Sequence, residues 1–185
     1  MIVYIHGFNS SPASSKAGAL QQALAQRGRA REFIAPALPR SPAAAATLLE
    51  DLVRKHPDAS LIGSSLGGFY ATSLAERSGV RAVLVNPAVR PYELLVGQVG
   101  RQQNFHTGEA YDFTAQHVAE LRALEVDSIT PERYLLLVET GDEVLDYRHA
   151  VERYRGARQL VIEGGDHGCS DFASYLDTVL AFVGM

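Results

Sequence analysis

The sequence predicts an α/β protein with a parallel sheet of six strands and helices on both faces. Short, uniformly apolar runs alternate along the chain with longer segments that carry apolar residues at helical spacing. The apolar runs lack the polar alternation expected of a sheet with one face in water, so both faces must be covered. Right-handed crossovers between parallel strands then limit the topology.

The first part of the chain supplies two strands and two helices before the central strand. Ser41 is suited to cap a helix, because Pro42 then occupies the first helical position with its φ angle already fixed. The predicted elements are a strand at Ile2–His6, a helix at Ser14–Arg27, a strand at Glu32–Ala35, a helix from Ser41 that ends at Pro57, and a strand at Ala59–Ile62.

The second part continues the alternation after one long interruption. The predicted elements are a helix to about Ser78, strands at Arg81–Asn86, Tyr134–Thr140 and Arg158–Glu163, and a helix at Phe172–Phe182. The segment from about 90 to 130 has no clear strand, and connections of this length are typically functional. We expect it to form a short lid that buries Phe105, Tyr111, Phe113 and Leu121, although these residues could instead pack the helices. Residues 1–185 should form a single domain, because no linker or repeat divides them.

Composition excludes several classes of function. The net charge is −4 with no basic cluster, which argues against nucleic acid as a partner. The single cysteine, Cys169, cannot form an internal disulfide and fits a reducing compartment. No apolar run approaches the length of a membrane span, and the first residues resemble a core strand more than a signal peptide. We therefore expect a cytoplasmic enzyme.

The most informative motif is Gly63-x-Ser65-x-Gly67, the nucleophile-elbow pattern. It follows a short apolar strand and precedes a helical segment, which is the context that the motif requires. A strand that turns sharply into a helix leaves no room for side chains two residues before and after the serine, so glycine suits both positions. Ser65 is therefore the candidate nucleophile.

A serine nucleophile needs a base, and the base needs an acid to orient it. With an elbow serine these partners follow in the chain order serine, acid, histidine. Asp142 lies in the turn after the strand that follows the long insertion, at the edge of the sheet where ligands bind. Asp146 is the main alternative, although it could cap the next helix, and Glu143 and Asp166 are weaker ones.

His167 is the candidate base, since it follows the last strand in the glycine-rich segment Gly164-Gly165-Asp166-His167-Gly168. The other piece of the site is the segment His6-Gly7-Phe8 after the first strand, where an oxyanion-hole loop belongs. A tetrahedral intermediate needs two N–H donors aimed at its negative oxygen. We predict these to be the backbone N–H groups of Phe8 and Leu66, with His6 holding the loop.

These motifs together resemble those of the α/β-hydrolase superfamily, and within it the small bacterial YqiA-type esterases. The matching segments span almost the whole chain: His6–Pro12, Gly63–Thr72, Val85–Leu95, Thr140–Arg148 and Val161–His167. The third segment is the most specific, because the superfamily as a whole does not require it. Six strands instead of the usual eight imply a reduced fold, with all strands parallel in the order 2-1-3-4-5-6.

The resemblance implies a serine esterase with Ser65, Asp142 and His167 as its triad and an acyl-enzyme intermediate. No cofactor or metal is expected, and the partner would be a small-molecule acyl ester. An acyl thioesterase is the nearest alternative. A non-catalytic binding protein of the same fold is a further one, because fold alone does not determine function.

Overall fold

The computed structural model describes residues 1–185, which form eight strands and seven α-helices. In chain order they are β1 (Ile2–Ile5), α1 (Ser15–Gln26), β2 (Phe33–Ile34), α2 (Pro42–Lys55), β3 (Ser60–Ser64), α3 (Leu66–Ser78), β4 (Ala82–Val85), α4 (Pro91–Leu95), β5 (Gly100–Gln103), β6 (Ala110–Phe113), α5 (Ala115–Ala123), β7 (Tyr134–Glu139), α6 (Tyr147–Arg153), β8 (Arg158–Ile162) and α7 (Leu176–Phe182).

Six of the strands form one parallel sheet in the order β2-β1-β3-β4-β7-β8. This is the order 2-1-3-4-5-6 that the resemblance implied. The last two strands carry the numbers 7 and 8 because β5 and β6 form a separate antiparallel hairpin. The elbow strand β3 lies between β1 and β4, as predicted. The carboxyl ends of β1, β3, β4, β7 and β8 therefore meet along one edge of the sheet, and the loops that leave them can converge.

Alternate residues of the central strands bury their side chains on opposite faces of the sheet. Val3, Leu61 and Leu84 belong to a core cluster on one face, which helices α2 and α3 cover. Their neighbours Tyr4 and Ile62 belong to a second cluster on the other face, covered by α1 and α7. Both faces are thus excluded from water, which explains why the strands read as continuous apolar runs.

Side-chain caps begin three of the helices, of which α5 is capped by the hydroxyl of Thr114. The hydroxyl of Ser41 accepts a hydrogen bond from the N–H of Ala44 at 3.2 Å, and Pro42 begins α2 as predicted. The carboxylate of Asp146 accepts the N–H of Arg148 at 3.0 Å and caps α6. None of the seven helices combines the length and the apolar character that crossing a membrane requires.

Two sequence predictions were wrong in detail. The segment from 90 to 130 contains the hairpin of β5 and β6, which the sequence pattern missed because β5 is polar and largely exposed. The strands of this hairpin are held by pairing with each other more than by burial. The last helix is shorter than predicted, since residues Phe172–Tyr175 form a 3₁₀ turn before α7.

Candidate active site

Ser65 occupies the sharp turn between β3 and α3 in a conformation that is rare for a side-chain-bearing residue, with φ 55° and ψ −121°. The two motif glycines make this turn sterically feasible. A Cβ atom on Gly67 would lie 2.0 Å from the carbonyl oxygen of Ile5, and one on Gly63 would lie 2.2 Å from the carbonyl oxygen of Gly67. The sharp turn that the motif predicts between a strand and a helix is therefore present in the structure, and it is packed against the end of β1.

The backbone of Ser65 is tied to the end of the neighbouring strand β4. Its N–H donates to the carbonyl of Val85 at 3.0 Å. Its carbonyl accepts the N–H groups of Gly68 at 2.9 Å and Ala88 at 3.1 Å. Because Val85 and Ala88 flank the end of β4, this strand fixes the position from which the serine hydroxyl emerges.

Three side chains from three loops meet at the carboxyl edge of the sheet. The Oγ atom of Ser65 lies 3.0 Å from Nε2 of His167, and Nδ1 of His167 lies 2.8 Å from Oδ2 of Asp142. These are the three residues that the sequence singled out. They form an unbroken chain of hydrogen bonds from a hydroxyl through an imidazole to a carboxylate.

The surroundings of Asp142 fix its charge and the tautomer of the histidine. The side chain is 2% exposed, and its Oδ1 atom accepts the N–H groups of Val144 and Leu145, both at 2.8 Å. Burial acts to raise the pKa of Asp142, but the hydrogen bonds from His167 and the two backbone N–H groups outweigh it, so the pKa is lowered. An ionised carboxylate can only accept, which places the proton of His167 on Nδ1 and leaves Nε2 free to accept from Ser65.

The alternative acids lie elsewhere. Asp146 caps α6 through Arg148, as described above, and does not contact the imidazole. Glu143 accepts the backbone N–H of His167 at 3.0 Å and so contacts the loop, not the ring. The backbone carbonyl and N–H of Asp166 are hydrogen-bonded to other residues, but its side chain does not bond to the imidazole. Asp142 is the only one of the four whose carboxylate bonds to the imidazole of His167.

The loop after β1 and the start of α3 each place one free N–H group near the serine. A Cβ atom on Gly7 would lie 3.1 Å from Cβ of Ser65, so a side chain at this position would require the neighbouring atoms to shift. No group within the protein accepts the backbone N–H of Phe8 or of Leu66. His6 bonds to the carbonyl of Gly7 at 3.0 Å through Nδ1, and its Nε2 accepts the N–H of Leu38 at 3.4 Å, contacts suited to shaping the loop.

The β5–β6 hairpin is fastened to this loop through Asn9, which has a left-handed φ of 55°. The hydroxyl of Tyr111 donates to Oδ1 of Asn9 at 2.6 Å, and the amide of Asn9 donates to Gln102 at 3.1 Å. The rings of Phe8 and Phe113 also pack edge to face, with centroids 5.2 Å apart. Phe105, which was expected to be buried, is 81% exposed at the tip of the hairpin and is excluded from this packing.

Two depressions open at this edge of the sheet. A cavity of about 200 Å³ is lined by the loop after β1, by the elbow helix and by the hairpin; its walls include Phe8, Leu38, Leu66, Tyr70, Tyr111 and Phe113. A wider groove of about 620 Å³ runs between α4 and α6, beside Leu145 and Pro87. The smaller cavity adjoins the two free N–H groups.

The sequence analysis missed a set of buried polar residues behind the histidine loop. Asn86 and Glu139 are 2% and 0% exposed and stand at the ends of β4 and β7. Burial raises the pKa of the Glu139 carboxyl. Two signals were available for Asn86: it directly follows an apolar strand, and it lies in Val85–Leu95, the most specific of the segments that carry the resemblance.

One group of side chains has donors that a metal could use. Ligand atoms of Glu139, Cys169 and Asp171 lie within 4.8 Å of one another. Burial raises the pKa of the Cys169 thiol to about 12, which disfavours the thiolate that a metal requires. The buried ammonium of Lys16 already supplies positive charge beside Cys169 and Glu139. The chemistry of this cluster therefore fits a buried polar network better than a metal centre.

Solved structures with a similar backbone include an α/β-hydrolase domain-containing protein and an esterase domain. Alpha/beta hydrolase domain-containing protein 10 from mouse matches with a TM-score of 0.74 and 16% identity, over 97% of this chain and 89% of its own. Est1E from Butyrivibrio proteoclasticus matches with a TM-score of 0.69 and 16% identity, over 98% and 84% of the two chains. The esterase domain from a Rhodothermus marinus protein matches with a TM-score of 0.67 and 18% identity, over 97% of this chain and 83% of its own. At these identities the likeness establishes the fold.

Sequence comparison gives the family. The model of an uncharacterised protein family, UPF0227, matches residues 1–184. The UPF0227 protein of Serratia proteamaculans is 27% identical over 200 residues, and UPF0227 protein YcfP of Salmonella arizonae is 26% identical over 204 residues; each match covers 98% of both chains. The resemblance inferred from the sequence motifs is confirmed: the chain has the α/β-hydrolase fold and belongs to the UPF0227 family.

Proposed function

We propose that this protein is a serine hydrolase that cleaves carboxylic esters of small acyl groups. The observation that carries the proposal is the hydrogen-bonded chain from Ser65 Oγ through His167 to the buried carboxylate of Asp142, with distances of 3.0 Å and 2.8 Å. A serine hydroxyl with such partners is activated toward carbonyl carbon. The similar solved structures include an esterase domain, which agrees with this chemistry.

The first half-reaction would acylate the serine. As Ser65 Oγ attacks the ester carbonyl, Nε2 of His167 takes its proton, and the imidazolium that forms is stabilised by Asp142. The carbonyl oxygen becomes negative and is bound by the free N–H groups of Phe8 and Leu66. The imidazolium then gives its proton to the leaving alkoxide, and the acyl group remains on Ser65.

The second half-reaction would release the acid. A water molecule replaces the alcohol, His167 removes its proton, and the hydroxide attacks the acyl carbonyl at the same pair of N–H donors. Collapse of this intermediate returns the proton to Ser65 Oγ and frees the carboxylic acid. Every step uses side chains and backbone groups of this chain alone.

The cavity beside the two N–H donors is the natural place for the acyl group. Its volume of about 200 Å³ favours a short acyl chain, which the apolar part of its lining, including Phe8, Leu66 and Phe113, would contact. The hairpin of β5 and β6 supplies part of the wall through Tyr111 and Phe113, so the insertion would influence substrate choice as a lid.

Labelling with a fluorophosphonate tests the nucleophile. An activated serine attacks the phosphorus atom, so the wild-type protein should be labelled and Ser65→Ala should not. Ser170→Ala is a matched control, because Ser170 is exposed and lies in the loop of His167 but not on the triad. Equal labelling of wild type and Ser65→Ala would refute the assignment of Ser65, and an unlabelled wild type would favour a binding protein.

Hydrolysis of a panel of substrates tests the reaction class. Acyl esters and acyl thioesters of matched acyl chains are compared with the wild-type protein and with Ser65→Ala. We expect the esters to be hydrolysed with the higher kcat/KM. A clear preference for thioesters would identify the thioesterase alternative, and activity that persists in Ser65→Ala would contradict the mechanism.

A further inference from the structure

The loop that carries His167 has little internal support. Gly164 and Gly165 precede it, both with left-handed φ angles of 78° and 76°. Glycines leave the backbone free to adopt many conformations, so the loop itself does not dictate where the imidazole stands. A position accurate enough for proton transfer must therefore be imposed by groups outside the loop.

Three buried side chains from three different elements bind the backbone of this loop. The amide nitrogen of Asn86 donates to the carbonyls of Asp166 at 3.0 Å and His167 at 3.2 Å. The carboxyl of Glu139 accepts the N–H of Asp166 at 2.8 Å. The ammonium of Lys16 donates to the carbonyl of Gly168. We call Asn86, Glu139 and Lys16 the histidine clamp.

Asn86 has the central place in this clamp. Its Oδ1 atom accepts the backbone N–H of Glu139 at 3.0 Å, which fixes the orientation of the amide and points the NH₂ group at the loop. The backbone N–H of Asn86 donates to the carbonyl of Leu137 at 2.9 Å. Asn86 has a left-handed φ of 42°, which a short polar side chain tolerates better than most others.

The same strand end also holds the nucleophile. Val85, the residue before Asn86, accepts the N–H of Ser65 at 3.0 Å. Val85, the last residue of β4, and Asn86, which follows it, therefore set the backbone of Ser65 and the backbone of His167. The distance between Oγ and Nε2 depends on both, because neither loop contacts the other through a comparable backbone bond.

We propose that Asn86 is a positioning residue that holds His167 between Ser65 and Asp142. It touches no reacting atom and acts only through the carbonyls of residues 166 and 167. This inference rests on the proposed function for its kinetic consequence, but its structural content, the placement of the imidazole, can be measured separately.

The test uses Asn86→Asp, which keeps the shape of the side chain and the oxygen that faces Glu139. The new carboxylate oxygen replaces the NH₂ group and faces two carbonyl oxygens, so both bonds to the loop are lost. We expect kcat and the rate of fluorophosphonate labelling to fall on the order of 10²-fold with little change in KM, as expected for a small misplacement of a reacting group.

A matched control separates positioning from stability. Gln159, at the amino end of β8, also donates its amide to two backbone carbonyls, those of Val151 at 3.1 Å and Tyr154 at 2.7 Å, and neither carbonyl belongs to the histidine loop. Gln159→Glu makes the same chemical change there and should leave kcat unchanged. If both variants lose the same activity in proportion to their loss of Tm, Asn86 is merely structural and the proposal fails.

The ¹⁵N chemical shifts of the His167 ring give a readout independent of activity. The wild-type ring should show one tautomer, with its proton on Nδ1, and Asn86→Asp should show a mixture of tautomers. An unchanged ring signal in folded Asn86→Asp overturns the proposal. If the wild type shows no hydrolysis or labelling, the proposed function fails while this measurement still decides the role of Asn86. If Asn86→Asp does not fold, Asn86→Gly, which accepts the same φ, is measured instead.

Discussion

Asp142 binds His167 through a hydrogen bond of 2.8 Å between Oδ2 and Nδ1, and the side chain that accepts it is 2% exposed. The other carboxylate oxygen is held by two backbone N–H groups of its own turn. The carboxylate therefore cannot rotate away without breaking three hydrogen bonds. It therefore holds the imidazole in one orientation, in which Nε2 lies within hydrogen-bond distance of Ser65.

The first prediction separates the two acids that the sequence left open. Asp142→Asn replaces an obligate acceptor by a group that can donate, which favours the wrong tautomer of His167. We expect kcat to fall on the order of 10⁴-fold, as for the corresponding change in a serine protease. Asp146→Asn should change kcat less than about twofold, because asparagine also caps a helix well. A larger loss in Asp146→Asn than in Asp142→Asn would contradict the assignment.

The second prediction concerns the pH dependence of stability. The carboxylate of Glu76 accepts the hydroxyl of Tyr134 at 2.6 Å, both donors of Thr130 at 2.8 and 2.9 Å, and the guanidinium of Arg133 at 2.9 Å. Burial acts to raise its pKa, but these hydrogen bonds outweigh it, so the pKa of Glu76 is lowered from its ordinary 4.5. A lowered pKa contributes stability above the unfolded-state value, which is lost as the pH falls through the folded-state value.

The measurement for this prediction is the unfolding free energy of wild type and Glu76→Gln between pH 7 and pH 2. At pH 7 the variant should be less stable by about 2 kcal/mol, since it loses hydrogen bonds to a charged group. The difference should shrink as the pH falls below about 4.5. Glu132→Gln, at an exposed position nearby, should match wild type throughout. A constant difference between Glu76→Gln and wild type at all pH values would contradict the prediction.

The proximity of the three residues of the proposed triad could be predicted from sequence because each follows a recognisable apolar strand. The ends of β3, β7 and β8 lie along one edge of a parallel sheet, so order along the chain translates directly into proximity. Even so, spacing could not separate Asp142 from Asp146, four residues later. That choice depends on which carboxylate faces the histidine loop and which caps α6, and only the three-dimensional path of the turn decides it.

Asn86 and the hairpin escaped prediction for different physical reasons. The role of Asn86 depends on a contact with residues 166 and 167, some 80 positions away, and no local pattern encodes it. Strand β5 lacks the apolar alternation of a half-buried strand because it is mostly exposed. Phe105 was expected to be buried on account of its side chain alone, yet its place at the hairpin tip leaves it in solvent.

The third prediction concerns the packing of the elbow. Gly67→Ala would bring a Cβ atom to 2.0 Å from the carbonyl oxygen of Ile5, which belongs to a buried strand and cannot move freely. We expect a loss of more than about 3 kcal/mol in unfolding free energy, or failure to fold. Gly18→Ala is the control, because no atom lies within 4 Å of its Cβ position in α1. That variant should gain about 0.5–1 kcal/mol. The unfolding free energies are measured in urea. Equal values for the two variants would contradict the prediction, because they would show that the elbow has room for a Cβ atom at position 67.

The fourth prediction tests whether the hairpin sets the acyl preference. Tyr111 is half-buried and lines the cavity of about 200 Å³, whereas Phe105 is 81% exposed and does not. Tyr111→Ala should enlarge the cavity and admit longer acyl chains. Each methylene newly buried is worth about 0.8 kcal/mol, so the ratio of kcat/KM for long over short chains should rise about fourfold per methylene. Phe105→Ala should leave that ratio unchanged.

Tyr111→Phe removes only the hydroxyl that bonds to Asn9 at 2.6 Å, and it should lower kcat for all chain lengths alike, because it loosens the loop that carries the N–H of Phe8. If Tyr111→Ala loses stability but keeps the wild-type chain-length profile, the hairpin packs the domain and does not select the substrate.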